Sequence, residues 1–334
     1  MSENAPAPMG SPGGYGSLSF TNVIKLELLG DFDCGIAQKI NNKDQIVGSM
    51  WDRITPYLPL AFLWNNGNMI GLGTLGSAWS DAQDINEEGH IVGCSSATSS
   101  HQGTSPYRAF LWRDGVMVDL GSLGGNSQAC AINDDGQVVG YSEIAEDGPE
   151  HAFLYDKRGM HDLGTLGGAN SRAYGINNHR QVVGWSEIGG DPHARHACLW
   201  QDGKKTDLGP AGTKRSEAFA INDCGQIVGF NYGSWIVGPL AFLWDAGAMV
   251  SLGWLSSEMN SLATDINNHG QVVGASPCLQ HEMHRAFSWR NNEMLALESV
   301  IGQKLSEANG VNNLGHAVGK IDLVNGCGHP VLWR

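Results

Sequence analysis

One phrase, Ile-Asn-x-x-Gly-Gln-Val-Val-Gly, recurs with small variations seven times in this chain, and recurrence at that period leaves few folds open to it. Its Asn falls at 41, 86, 133, 177, 222, 267 and 312, in steps of 44 to 47 residues. A second phrase follows each time, read as AFLW, AFLW, AFLY, ACLW, AFLW, AFSW and PVLW, ending at Trp64, Trp112, Tyr155, Trp200, Trp244, Trp289 and Trp333. A third has the form of Met160 to Gly168, MHDLGTLGG. Each unit therefore holds four short apolar runs, rich in β-branched and aromatic residues and punctuated by Gly and Asn. That is a strand signature rather than a helical one.

We label the strands A to D in chain order. The A–B link, Asn-x-x-Gly, suits a tight hairpin, because Asn bonds the backbone ahead of it and Gly accepts positive φ. Asp44 and Arg180 stand where the other units have that Gly, so both turns are expected to be strained. Four antiparallel strands per 45 or so residues point to propeller blades. Residues 20–30, FTNVIKLELLG, read as a D strand with nothing before it, and the last unit stops after its C strand. The expectation is an all-β, seven-bladed propeller of four-stranded blades, closed when the N-terminal strand completes the last one. It would occupy residues 20–334, behind a flexible tail over residues 1–19.

Composition narrows the function classes. The chain has 20 Lys and Arg against 34 Asp and Glu, a net charge of −14. Phosphate neutralisation needs a cationic footprint, so no nucleic-acid partner is expected, and cationic or neutral partners are favoured. There is no apolar run long enough to span a membrane. Seven cysteines without a CxxC read as mostly buried thiols in a reducing compartment rather than a disulfide framework. The first nineteen residues lack a basic start and an apolar stretch, so they do not read as a secretory signal, and the expected location is cytoplasmic.

A position identical in every blade serves the blade, so function is sought where blades differ. The turn Asn and the Gly after Val-Val are common to all seven, and that Gly is read as allowing a twist or bulge. The B–C spans vary, from 12 to 16 residues between that Gly and the first C-strand residue. Variable loops on a rigid scaffold usually carry function. The candidate face is therefore the one bearing the B–C and D–A loops, around the channel mouth.

Three features there break the repeat. Two places before the turn Asn most blades carry a small residue, but three carry Lys39, Asp84 and Asp265. These are the candidate catalytic groups, with Lys39 and Asp84 placed to pair as neighbours; a structural ion pair is the competing reading. The place before the A-strand Ala varies as Ile36, Asp81, Gln128, Arg172, Glu217, Leu262 and Glu307, a rim suited to selecting a ligand. Off-pattern aromatics complete the set: Trp79, Trp185, the row Tyr141, Trp185 and Phe230, and the pair Tyr174 and Phe219. Such an arc stacks on a sugar or aromatic ring, or simply packs the loops. The expected ligand-binding residues are Trp79, Asp81, Arg172, Tyr174, Trp185, Glu217 and Phe219.

Other motifs carry less. The GxGxxG at Gly71 to Gly76 leads from strand to strand, so it is not a dinucleotide loop. Cys278, His281 and His284 are spaced as weak metal ligands, and His193 with His196 forms a second HxxH. Zinc needs three or four converging donors, and these two loops would have to meet across the fifth blade. No cofactor is expected otherwise.

The three phrases together, with the tripeptide His151-Ala152-Phe153, resemble the HAF repeat family over residues 20–334. The resemblance implies a propeller-type repeat and, by the family's label, an extracellular place, while implying little about biochemical role. The expected function is binding of a small organic or carbohydrate-like ligand, or a protein partner, at the loop face. The alternative is an acid–base enzyme of lyase, hydrolase, isomerase or cyclase type at the channel mouth.

Overall fold

The computed structural model describes residues 22–97, 106–191, 194–210, 212–234, 237–255, 260–278, 283–297, 305–322 and 326–334. The proposed tail, residues 1–19, lies outside them. Every regular element among the described residues is a strand, and the strands form seven four-stranded antiparallel sheets. Six sheets are sequential in A-B-C-D order. The seventh is completed from the other end of the chain: Val23–Lys25 pairs antiparallel with Gly328–Trp333, in the register Ile24 to Leu332. The ring is closed as the split repeat predicts.

Two exceptions to the repeat mark the closing junction. In six blades the A-strand Ser accepts the first C-strand N–H of the blade before it, as Ser171 Oγ does from Ala152 N at 2.9 Å. At closure Pro330, which has no N–H, takes the slot of the C-strand Ala, and blade 1 carries Gly35 where the Ser would stand. Donor and acceptor are missing together, and a Cβ on Gly35 would stand 3.3 Å from Pro330 Cδ.

The turn Asn residues form a belt. Each Nδ2 donates to the backbone carbonyl of the next turn Asn, from Asn41 to Asn86 and onward until Asn312 donates to Asn41 O at 3.0 Å. A second closed belt runs beside it. The backbone N–H after each Asn donates to a side-chain oxygen of the next blade, through Asn42, Glu87, Asp134, Asn178, Asp223, Asn268 and Asn313. Asp44 and Arg180 hold the left-handed turn conformation at φ 57° and 62°, the expected strain.

Every A strand carries a β-bulge three residues before its Asn, at Gln38, Gln83, Cys130, Tyr174, Phe219, Thr264 and Asn309. The bulge pushes the preceding strand carbonyl outward. A Cβ on Gly48, Gly93, Gly140, Gly184, Gly229, Gly274 or Gly319 would lie 1.9 to 2.0 Å from that oxygen. The glycine is therefore required by close approach. Between blades, the C-strand apolar residues of one sheet pack on the A and B strands of the next, as Leu154 packs with Ile176, Val182 and Trp200.

The cysteine reading needs correction for one pair. Cys34 and Cys327 form a disulfide with their Cα atoms 5.3 Å apart across 293 residues of sequence. Cys34 opens the A strand of blade 1 and Cys327 precedes the last C strand, so only ring closure brings them together. Cys94 and Cys198 are buried thiols, as expected, while Cys224 is exposed.

Candidate functional site

Because the bulge fixes A-strand register against B, each rim residue faces one defined partner across the ladder. The pairs are Ile36 with Ser49, Asp81 with Cys94, Gln128 with Tyr141, Arg172 with Trp185, Glu217 with Phe230, Leu262 with Ala275 and Glu307 with Lys320. The rim is thus chemically different in each blade. Blades 3 to 5 carry its aromatic and cationic arc.

There the side chains stack in alternation. The Arg172 guanidinium lies 4.2 Å from the Tyr141 ring centroid and 5.8 Å from that of Trp185, and Arg195 covers Trp185 at 4.6 Å. Arg215 continues the series over Phe230 and Tyr232, at 5.6 and 5.4 Å. Carboxylates lock the cations. Glu150 Oε2 accepts from Arg172 Nε at 2.6 Å, and the nearly buried Glu217 takes both Arg195 and Arg215. Burial works against the charge on Arg172, but Tyr141 and Glu150 more than offset it, so the guanidinium stays protonated. Trp185 Nε1 donates to Tyr174 Oη at 3.0 Å, and Tyr174, Phe219 and Phe230 continue the arc at ring separations of 5.5 Å. Burial raises the Tyr141 and Tyr174 phenols.

Beside this stack opens a recess of about 520 Å³, bounded by Glu143, Asp147, Glu150, Asn170, Arg172, Trp185 and Arg195. Arg195 Nε is buried and has no acceptor in the protein. Asp147 holds φ 53°, an unusual conformation of the sort that collects at functional loops. Of the expected ligand-binding residues, Arg172, Tyr174, Trp185, Glu217 and Phe219 come together here. Trp79 and Asp81 sit one blade away, Trp79 against Tyr107 at 6.1 Å. Burial pushes the Asp81 carboxyl up to about 6, against hydrogen bonds from Ser49 and Gln83, and its Oδ1 meets no donor in good geometry.

Sequence comparison passed over Glu150 and Arg195. Both stand two places before the C-strand Ala, a slot that reads Pro59, Tyr107, Glu150, Arg195, Pro239, His284 and Gly328. Its variation was the available signal. Arg215 precedes the A-strand Ser, in a slot that reads Cys34, Trp79, Asn126, Asn170, Arg215, Asn260 and Leu305, and Tyr232 stands in the B strand opposite Pro239, so both were open to the same comparison.

The channel charges sit deeper. Lys39 Nζ pairs with Asp265 Oδ1 at 2.6 Å rather than with its neighbour Asp84. Blade 7 places Gly310 between them, where a Cβ would come within 3.3 Å of Lys39 Cδ, so the lysine can cross to blade 6. Each aspartate also accepts a backbone N–H of the next blade, Asp84 from Ile132 at 2.9 Å and Asp265 from Val311 at 2.8 Å. Burial pushes Asp84 up to about 6, although Lys39 and two backbone N–H groups draw it down. Burial opposes the Lys39 charge, and Asp265 with Asp84 outweighs it, so its value is raised. The three groups hold adjacent blades together and also keep a titratable carboxyl in the channel.

His281 and the side chain of Cys278 lie outside the described residues, while His284 pairs with Pro277 in the B–C ladder. Among the described residues, the one metal-like grouping is Asp33, Cys34 and Cys327, and its two sulfurs are spent in the disulfide. None of the described residues belongs to a helix long and apolar enough to cross a membrane.

Comparison with known proteins adds fold more than chemistry. A family model described as a protein of unknown function (DUF3466) matches residues 122–208, the stretch that holds blades 3 and 4. No curated protein matches. Among solved structures, the chain is similar to the β-propeller domain of the Trilobed protease from Pyrococcus furiosus, described as having an open velcro topology. The TM-score is 0.60 at 12% identity, over 90% of this chain and 96% of that one. It is also similar to a puromycin hydrolase (TM-score 0.59, 10% identity, 90% of this chain) and to a Mycobacterium tuberculosis puromycin-hydrolyzing peptidase (0.58, 10%, 89%). The chain spans about half the length of these two, 52% and 50%.

Proposed function

We propose that this protein is a ligand-binding propeller whose site is the recess beside the Tyr141–Arg172–Trp185–Arg195 stack, and that the ligand is small and carbohydrate-like. The observation that carries the reading is the pairing of an indole wedged between two guanidiniums with carboxylate and amide groups on one recess. The planar Arg, Glu and Asn groups around the recess suit vicinal hydroxyls. The volume suits one or two sugar rings. Three acidic groups border it, Glu143, Asp147 and Glu150, which disfavours an anionic ligand.

The test is binding of a panel of neutral mono- and disaccharides, read by calorimetry on wild type and on Arg172→Lys and Trp185→Phe. The expected result is one saturable ligand weakened at least tenfold by either change. Binding that both variants retain at full strength places the ligand elsewhere.

The second reading, an acid–base enzyme at the channel mouth, draws on Asp84, whose carboxyl burial pushes up to about 6 beside Lys39 and Asp265. Hydrolase activity belongs to the puromycin-hydrolyzing relatives by name, and comes to this chain only as a candidate. A protein partner at the same face remains a third use of the rim. The Cys34–Cys327 disulfide supports an oxidising compartment, in line with the extracellular label of the HAF family and against the cytoplasmic expectation.

A further inference from the structure

The opposite face of the ring carries a second recess, between blades 3 and 4, where the repeat is broken four times in the same place. In each sheet the D-strand residue directly across from the C-strand aromatic covers its ring. That residue is Met69, Met117, Met160, Met249 and Met294 in five blades, Val23 in the closing blade and Lys205 in blade 4. Lys204 stands beside it, in a slot that elsewhere reads Asn68, Val116, Gly159, Ala248 and Glu293. Arg180 replaces the turn Gly of five other blades and keeps its left-handed φ of 62°. His161 takes a slot held elsewhere by Ile70, Val118, Thr206, Val250 and Leu295.

These exceptions converge. Arg180, His161, Lys204 and Lys205 rim a cavity of about 390 Å³ whose floor is apolar, made of Leu154, Leu163, Val182 and Trp200. Trp200 borders the cavity with only 3% of its surface exposed. Its Nε1 is buried and finds no acceptor in the protein. Lys205 reaches across the blade gap, since a Cβ on Gly164 would stand 2.9 Å from its Nζ.

The rim sets three cations, Arg180, Lys204 and Lys205, against three carboxylates, Asp156, Asp162 and Asp202. Asp156 holds Arg180 and His161, and Asp162 is taken by His151 and by the Gly164 N–H. Asp202 also borders the cavity. Among the described residues neither Lys204 nor Lys205 has an ion-pair partner. Lysines on an edge strand commonly serve only to discourage sheet-to-sheet pairing. That purpose is met by an outward lysine; it does not explain why two lysines and an arginine of strained φ border one cavity.

We propose that this inter-blade cavity binds an organic anion, with its acidic head between Lys205, Lys204 and Arg180 and its apolar body on Trp200, Leu163 and Val182. The charge complementarity is local, in a chain whose net charge is −14. The site is independent of the loop-face reading.

The test is titration of the 15N-labelled full chain, following the Trp200 indole N–H signal, identified by its loss in Trp200→Phe. Three probes separate the parts of the claim: benzoate, the uncharged benzamide, and inorganic phosphate. Benzoate is expected to shift that signal saturably and at least tenfold more tightly than either other probe. Lys205→Gln should weaken it at least tenfold, and Lys205→Met, which restores the residue of the other blades, should close the site while preserving the fold. Equal binding of benzamide removes the need for charge, and equal binding of phosphate removes the apolar body. Either result overturns the proposal, as does undiminished benzoate binding in Lys205→Gln or no saturable shift at all.

Discussion

Replacing Gly184 by Ala adds one methyl group to a central strand, and the structure makes it among the costliest small changes available. The new Cβ would stand 1.9 Å from Arg172 O, and 2.8 Å from Ala173 Cα. Real contacts of this kind do not fall below 3.0 Å, so the A and B strands must separate by about 1.1 Å at that point. Overpacking of this order costs about 1–3 kcal/mol. The lost ladder bonds beside the bulge add about 1 kcal/mol each. A total of about 3–5 kcal/mol follows, and because Tyr174 is the bulge residue and Arg172 stands two places before it, the loop-face stack should loosen with it. Gly190→Ala is the control. Its φ of 92° is strained for alanine but nothing lies within 4 Å, so about 1–2 kcal/mol is expected. Urea unfolding by tryptophan fluorescence, with near-ultraviolet circular dichroism for the stack, separates them. If the two variants lose equal stability, close approach is not what fixes this glycine.

Three further outcomes are expected. Asn177→Ala removes one link of the inner belt, where its amide reaches Asn222 O and Gln181 and its Oδ1 takes two N–H groups, so a loss of about 2–3 kcal/mol in urea unfolding is expected; a loss under about 0.5 kcal/mol would mean the belt is ornamental. Reducing the Cys34–Cys327 disulfide, or Cys34→Ser, should lower the thermal midpoint, since by loop-closure entropy a crosslink spanning 293 residues removes about 5–6 kcal/mol of unfolded-chain entropy; an unchanged midpoint with the thiols shown free by alkylation and mass spectrometry contradicts that. Asp81 carries a carboxyl raised by burial from 3.8 to about 6, so its charged form is the one folding disfavours. Its contribution is best at low pH and is lost as pH rises through that window, and Asp81→Asn should therefore gain thermal stability relative to wild type at pH 8 but not at pH 4.

Most of the fold was legible because a blade is written seven times. Strand number, closure and the departures from Gly at the Asp44 and Arg180 turns all follow from comparing one copy with the others. What repetition could not show was contact across the ring. Lys39 crosses to Asp265 because Gly310 leaves the intervening slot empty, and Cys34 meets Cys327 because they flank the closing seam; neither distance is written in the spacing. The Gly after Val-Val hinted at a bulge, but its place on the A strand opposite, which decides which side chains share the rim, is silent in sequence. Lys205 was legible and was missed. It breaks a methionine slot, which draws less notice than a break in an aromatic one.

The central claim is that the arc over blades 3 to 5 is where this protein meets its ligand. The most direct measurement is the map of backbone and indole NMR shifts produced by the tightest saccharide found. Shifts concentrated on Trp185, Arg172, Arg195 and Asn170, with the Trp200 and Asn-belt signals still, are the predicted result. A map centred on the channel around Asp84, or on the belt face, would contradict the account.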